Sequence, residues 1–196
     1  ERYEALAFPD VHRALIALLP SPEGALALDV GAGSGRDAAW LAEQGFEVVA
    51  VEPSRAMREE AQRRHPHPRI RWIDDRVPAL ARVARLGTAF DVILLSAVWM
   101  HVAPGERARS FRKLVNLLKP GGLIALTLRD GPAEPSRSFH PVNAEDLERL
   151  AREHGAFVEH VETVPDRGGR RGVRWTHIAV RLPDDGTGAL PLLRHI

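Results

Sequence analysis

The chain has 196 residues, 44% of them hydrophobic, and its 27 basic and 26 acidic residues leave a net charge of +1. That length suits one well-buried core rather than two, and nowhere does it approach the roughly 18 unbroken apolar residues of a membrane span. The absence of cysteine excludes disulfides, thiolate metal sites and cysteine nucleophiles.

The N-terminus, Glu1-Arg2-Tyr3-Glu4, is charged and leads into no signal-like apolar stretch, and the lack of cysteine suits a cytoplasmic location. A helix is expected within residues 4–19, with apolar residues at helical spacing from 8 to 19 and a stop at Pro20-Ser21-Pro22. The continuous apolar run 25–30 reads as a parallel strand covered on both faces. After a glycine-rich turn, a helix spans about 36–44 and closes at Gly45. Residues 47–52 make a second strand, and 54–65 a helix capped by Ser54 and stopped at Pro66. Residues 70–73 and 90–96 are the third and fourth strands. Pro104 opens a helix that runs to about 118, where Lys119-Pro120-Gly121-Gly122 stops it, and 123–128 make a fifth strand. This alternation implies a parallel sheet with helices on both faces. A capped helix over 143–154 precedes strands 158–164 and 176–182. Only the polar, glycine-rich stretch 165–174 joins these two, so they form an antiparallel hairpin.

Chemistry concentrates in Leu28-Asp29-Val30-Gly31-Ala32-Gly33-Ser34-Gly35-Arg36. Glycines after a first strand let the backbone turn sharply and approach a ligand, and the next helix offers it free N–H groups and a positive dipole end. A dinucleotide fingerprint would place its third glycine at position 36. Arginine stands there instead, and the glycines fall at 31, 33 and 35. Asp29 ahead of the loop suits an ammonium group. Glu52 closes the second strand about twenty residues on, where an acid accepts both hydroxyls of a ribose, or alternatively caps the helix that follows. Pro53 offers a flat apolar face to an adenine. Asp74 and Asp75 end the third strand. One of them, with Asp75 preferred, can take an adenine amino group, or the two are turn-forming acids.

These segments, together with Phe90-Asp91-Val92-Ile93-Leu94-Leu95-Ser96 and Leu117-Leu118-Lys119-Pro120-Gly121-Gly122, resemble the successive motifs of class I S-adenosylmethionine (SAM)-dependent methyltransferases, of the bacterial small-molecule type. The resemblance covers residues 25–182. It implies a Rossmann-like α/β three-layer sandwich whose seven-stranded, mostly parallel sheet has an antiparallel last strand, in one domain over 1–183. It also implies that Asp29, Gly31 and Gly33 hold the methionine end of SAM, with Ala32 and Arg36 in the same cofactor-binding set. Glu52 and Pro53 would then serve the ribose and adenine, Asp74 or Asp75 the adenine, and Ser96 would lie beside the sulfonium. Tyr3, in an N-terminal segment that often folds over the cofactor in this family, would cap the methionine carboxylate or only pack. No metal site is expected.

A sulfonium methyl is already activated, so alignment of a nucleophile and exclusion of water are the main tasks. Trp99 is a candidate for the substrate pocket. His101 is either a general base or, as the resemblance favours, a structural histidine at the start of the helix opened by Pro104. The segment after the fourth strand reads Ser96-Ala97-Val98-Trp99 and lacks the Asn/Asp-Pro-Pro-Tyr/Phe signature of enzymes that methylate nucleic-acid amino groups. The expected activity is transfer of the SAM methyl to an N, O or C atom of a small molecule. One alternative is RNA or protein methylation that uses the arginines of 165–174; a second is a non-catalytic SAM-binding regulator. Only Lys113 and Lys119 are lysines, but most arginines stand beside acids and read as solvated helix faces. The apolar ending 190–196 and the start without Met suggest a piece of a longer polypeptide, with 184–196 as a tail leading towards a further domain.

Overall fold

Leu26–Val30 (β1) is apolar on both faces because it lies inside the sheet, with Glu47–Val51 (β2) and Phe90–Leu95 (β4) paired in parallel on either side. The computed structural model describes residues 4, 6–132 and 139–184. Ile70–Ile73 (β3) pairs beyond β2, and Leu118–Asp130 (β5) beyond β4, both in parallel. Phe157–Pro165 (β6) and Arg174–Arg181 (β7) form the antiparallel hairpin, and β7 inserts antiparallel beside β5. The order across the seven strands is therefore β3-β2-β1-β4-β5-β7-β6. A single antiparallel strand in an otherwise parallel sheet is the architecture the sequence implied.

Helices Phe8–Val11 (α1), Arg13–Ile16 (α2) and Arg36–Gln44 (α3) help cover one face of the sheet, packing Phe8, Leu15 and Leu41 against Val48, Val92 and Leu123. The other face carries Ala81–Ala84 (α5), Pro104–Val115 (α6) and Ala144–Glu153 (α7), with Val83, Phe111, Leu114, Leu147 and Leu150 on Ile93, Ile124 and Val180. Arg55–Arg64 (α4) is capped as expected, the Ser54 side chain accepting from the Met57 N–H at 3.4 Å. Asn143 caps α7 likewise, accepting from the Asp146 N–H at 2.8 Å.

Four features depart from the sequence reading. The helix expected through residue 19 is two short helices, broken at His12 (φ −117°, ψ 32°). The fifth strand starts at Leu118 rather than 123 and carries Pro120-Gly121-Gly122 as an irregularity, the register shifting between Phe90 and Val92. A Cβ on Gly122 would lie 2.8 Å from the Lys119 carbonyl oxygen and 3.1 Å from that of Phe90, so no larger residue fits where these strands meet. The short α5 and a single 3₁₀ turn at Trp99–His101 were not anticipated. The tail beyond residue 184 lies outside the described residues.

Candidate functional site

In open α/β sheets, ligands bind beyond the carboxyl ends of the strands, where the order reverses. Here that point lies between β1 and β4, and a cleft of about 420 Å³ opens there. It is lined in sheet order by Ser96 after β4, Asp29 and residues 30–34 at the end of β1, Glu52 and Pro53 after β2, and Asp75 to Val77 after β3. Strands stand about 4.8 Å apart, so the three intervals from β4 to β3 give a trough roughly 14 Å long.

The glycine loop is tied down from beneath: Gly31 N–H and Ala32 N–H both donate to the Val51 carbonyl, at 2.7 and 2.9 Å. Gly31 and Gly33 both adopt positive φ (75° and 56°), which favours glycine. They differ in what a side chain would meet. A Cβ on Gly31 would strike Val98 at 2.6 Å, whereas one on Gly33 would meet nothing closer than 3.9 Å. Gly31 is thus required by packing, and Gly33 keeps open space at the cleft.

Three buried acids, Asp29, Asp37 and Glu52, are among the lining residues of the trough. Asp29 is 1% exposed and its Oδ2 has no hydrogen-bond partner. Burial, reinforced by the charge of Asp37, pushes its carboxyl well above the usual range. An unsatisfied buried oxygen of this kind is costly unless a ligand cation completes it. Glu52 is also buried, and its two oxygens accept from Gly33 N–H at 3.0 Å and Ser54 N–H at 2.8 Å. Of the two roles weighed for Glu52, the contact at the start of the following helix is made, through Ser54 N–H, and the same carboxylate braces the glycine loop at the cleft.

The other expected site residues divide. Pro53, Ser96, Arg36, Ala32 and Asp75 line the cleft. Asp75 also accepts from the Arg82 and Val83 N–H groups at 2.6 and 3.0 Å, tying down the start of α5. Asp74 is not among the lining residues; it pairs with Arg58 at 3.3 Å, half-exposed. Trp99 is a correction: it is 1% exposed, edge-on to Phe111 in the core, and lines neither this cleft nor the second one beside it. An aromatic after the fourth strand serves packing here because the 3₁₀ turn directs it inward. His101 is exposed, lines the cleft and lies against Phe139, with ring centroids 5.1 Å apart. Tyr3 lies outside the described residues.

A second cleft of about 240 Å³ adjoins the first and shares Arg36, Ser96 and Ala97 with it. Thr127 of β5, Trp175 and His177 of β7, and the hairpin turn from Val164 to Arg170 form its other walls. Ala97, on the boundary, holds a positive φ of 58°, and its N–H donates to Thr127 Oγ1 at 2.7 Å. For a residue with a Cβ that conformation is strained, and such strain gathers at functional sites.

Sequence reading missed His12. Its Nε2 lies 3.2 Å from both Asp37 Oδ2 and Ser96 Oγ, at 1% exposure, behind the boundary of the clefts. Burial works to raise the Asp37 carboxyl, but His12 and Arg36 outweigh it and hold the group well below the usual carboxylate range. His12 sits in an ordinary helical pattern with partners 25 and 84 residues away. Its one local signal is a polar residue on the apolar face.

Residues 27–122 match the family described as "Methyltransferase domain". A trans-aconitate 2-methyltransferase of Variovorax paradoxus is 32% identical over 134 residues, 67% of this chain and 49% of that protein. The chain spans about half the length of that relative. A protein-L-isoaspartate O-methyltransferase of Methylorubrum populi is 30% identical over 156 residues, 71% of this chain and 68% of that protein. Among solved structures, the Burkholderia thailandensis 1,6-didemethyltoxoflavin-N1-methyltransferase, crystallised with bound 1,6-didemethyltoxoflavin and S-adenosylhomocysteine, has the same fold. Its TM-score is 0.67 at 23% identity, over 89% of this chain and 76% of that one.

Proposed function

The chain belongs to the class I SAM-dependent methyltransferases, and on that premise we propose that it binds SAM in the first cleft and transfers its methyl group to a small molecule. The observation that carries the reading is the unpartnered Asp29 Oδ2 at one part of a trough whose other parts end on Glu52 and Asp75. An ammonium group supplies what Asp29 lacks, and charge-assisted hydrogen bonds of this kind are the strong ones. Glu52 remains able to accept from ribose hydroxyls, since each carboxylate oxygen has a second lone pair beyond those given to Gly33 and Ser54. The open side of Gly33 leaves room for the chain of the ligand to lie against the backbone.

When bound, SAM supplies an activated sulfonium methyl. The protein's part is to hold the two reactants in line and exclude water. Ser96 and Ala97, shared by the two clefts, mark where they meet. That a small molecule is the acceptor is supported by the modest second cleft, and by the 1,6-didemethyltoxoflavin bound to the Burkholderia protein and the trans-aconitate named for the Variovorax one.

Calorimetry with SAM and with NAD tests the cofactor. Binding of SAM and not NAD is expected, and the reverse would overturn the reading. Turnover of labelled SAM with cell extract, separated into small-molecule, RNA and protein fractions, tests the acceptor, with label expected in the first.

A further inference from the structure

The second cleft has a chemical character of its own. Three guanidinium groups (Arg36, Arg167 and Arg170) and one carboxylate, Asp166, are among its lining residues. That carboxylate is fully engaged. It accepts from Arg170 N–H, Nε and Nη2 at 3.0, 3.1 and 2.6 Å and from Trp175 Nε1 at 2.8 Å, and its side chain is 3% exposed. Asp166 therefore shapes the hairpin turn and is not placed to take a proton from a substrate. Arg36 Nε is paired with Asp37 at 2.6 Å. Arg167 is the outermost cation; its side chain is 45% exposed, and its ion pair with the surface residue Asp10 spans 3.8 Å.

Histidine 177 is the remaining titratable group of the wall. Burial, then the charges of His12, His160 and Arg167, push it down to about 4, so at neutral pH it is uncharged and a weak base. The same positive surroundings that resist a proton on His177 favour an anion in the cleft. His101, for which a general-base role was one of two readings, lines the first cleft and not this one. An alcohol or a protonated amine must give up a proton to react, and among the described residues this wall offers no strong base. A carboxylate arrives already deprotonated.

We propose that the second cleft is the acceptor site and takes a small carboxylic acid as its anion, anchored by Arg167 and converted to a methyl ester. The inference rests on the SAM reading of the first cleft. One carboxylate oxygen gives its electron pair to the sulfonium methyl carbon. The carbon–sulfur bond breaks with its pair going to sulfur, the cofactor leaves as a neutral thioether, and no proton is released. The second cleft's 240 Å³ lies below the range of drug-sized pockets and limits the acceptor to a compact acid.

The test uses the full chain with labelled SAM. Acceptors are fumarate, succinate, citrate and benzoate, their primary amides, and the small-molecule extract of the source organism. SAM affinity is measured separately by calorimetry, so a protein that binds no SAM counts against the cofactor reading and not against this one. Given SAM binding, transfer to an acid from the panel or the extract is expected, with none to the amides. Mild alkali should release the label, as it does from methyl esters. Arg167→Gln should raise the acceptor KM at least tenfold and leave SAM affinity unchanged, while Arg171→Gln, at an exposed residue that does not line the cleft, changes neither. Alkali-stable label, transfer to no acid from either source, or an unaltered KM in Arg167→Gln would overturn the proposal.

Discussion

Gly33, Glu52, Asp29 and His101 are the positions where a single atom or charge decides the outcome. A valine at position 33 would project from a positive-φ backbone into the space now left open. Gly33→Val is therefore expected to abolish SAM binding in calorimetry while the protein remains folded by circular dichroism. Glu52→Ala should weaken SAM binding by roughly 1–3 kcal/mol, the order of a lost charge-assisted hydrogen bond. It should also lower stability, because the Gly33 and Ser54 N–H groups lose their acceptor. Unchanged SAM affinity in both folded variants would refute the assignment of the first cleft. Asp29 predicts a pH dependence. Its carboxyl is raised, so near and below that raised value the unliganded protein holds a proton there, and an ammonium ligand must displace it. SAM affinity should therefore rise with pH through the Asp29 titration and fall again where the ligand's own α-amino group deprotonates, near pH 8. Calorimetry in two buffers of different ionisation enthalpy would detect the released proton; a buffer-independent enthalpy would show that Asp29 does not meet the ammonium. For His101, exposure changes what substitution should do. His101→Asn is expected to shift the melting temperature little, since exposed positions tolerate change within about 0.5 kcal/mol, and any loss then falls on turnover.

The elements that were legible in the sequence are those whose cause is local. Strands β1, β2 and β4 show themselves as continuous apolar runs, α4 and α7 carry a capping Ser54 and Asn143, and the hairpin follows from a helix-free, glycine-rich connection. What was not legible depends on partners far along the chain. The break between α1 and α2 is the clearest case. The apolar spacing of residues 8–19 describes one helix, but His12 turns its ring to Asp37 and Ser96, and the backbone departs from helical values there. Trp99 was misplaced for a related reason: nothing in Ser96-Ala97-Val98 signals the 3₁₀ turn that sends it into the core. Of the second cleft the sequence showed only the arginines of 165–174; that Asp166 would gather Arg170 and Trp175 was not legible. These readings make His12 the element-scale residue to change. His12→Leu keeps the volume apolar but leaves Asp37 buried with Arg36 as its remaining named ion partner. Breaking one side of a buried charged network typically costs about 3–5 kcal/mol. A loss of that order is expected in urea unfolding, together with weaker packing of α1 and α2 on α3. A variant as stable as the parent would mean that the His12–Asp37 contact carries no net stabilisation.

At the scale of the whole molecule, the field of the hairpin turn decides between a small acceptor and a nucleic acid. The sequence places Arg167, Arg170, Arg171 and Arg174 within eight residues, which reads as a basic patch. Folding divides them. Arg170 is matched by Asp166, Arg167 lies 3.8 Å from Asp10, and Arg171 and Arg174 remain on the exposed outer surface. Two outward cations neutralise two phosphates at most, and each phosphate contact on a single strand contributes about −0.7 to the slope of log affinity against log salt. The expected slope for RNA is then no steeper than about −1.4, and affinity at physiological salt should be weaker than micromolar. Among the described residues of the hairpin no base-stacking platform accompanies them: Trp175 faces the second cleft, where Arg170 lies 5.7 Å from its ring centroid. Replacing Arg171 and Arg174 together with serine should accordingly leave SAM affinity and small-acceptor turnover unchanged, and should remove what weak RNA binding exists. Fluorescence anisotropy of a labelled single-stranded RNA across a salt series reads both quantities. Sub-micromolar binding at physiological salt that the double variant abolishes would place the phosphate backbone among this protein's ligands. The hairpin would then serve a polymer passing over the cleft rather than a compact acid held within it.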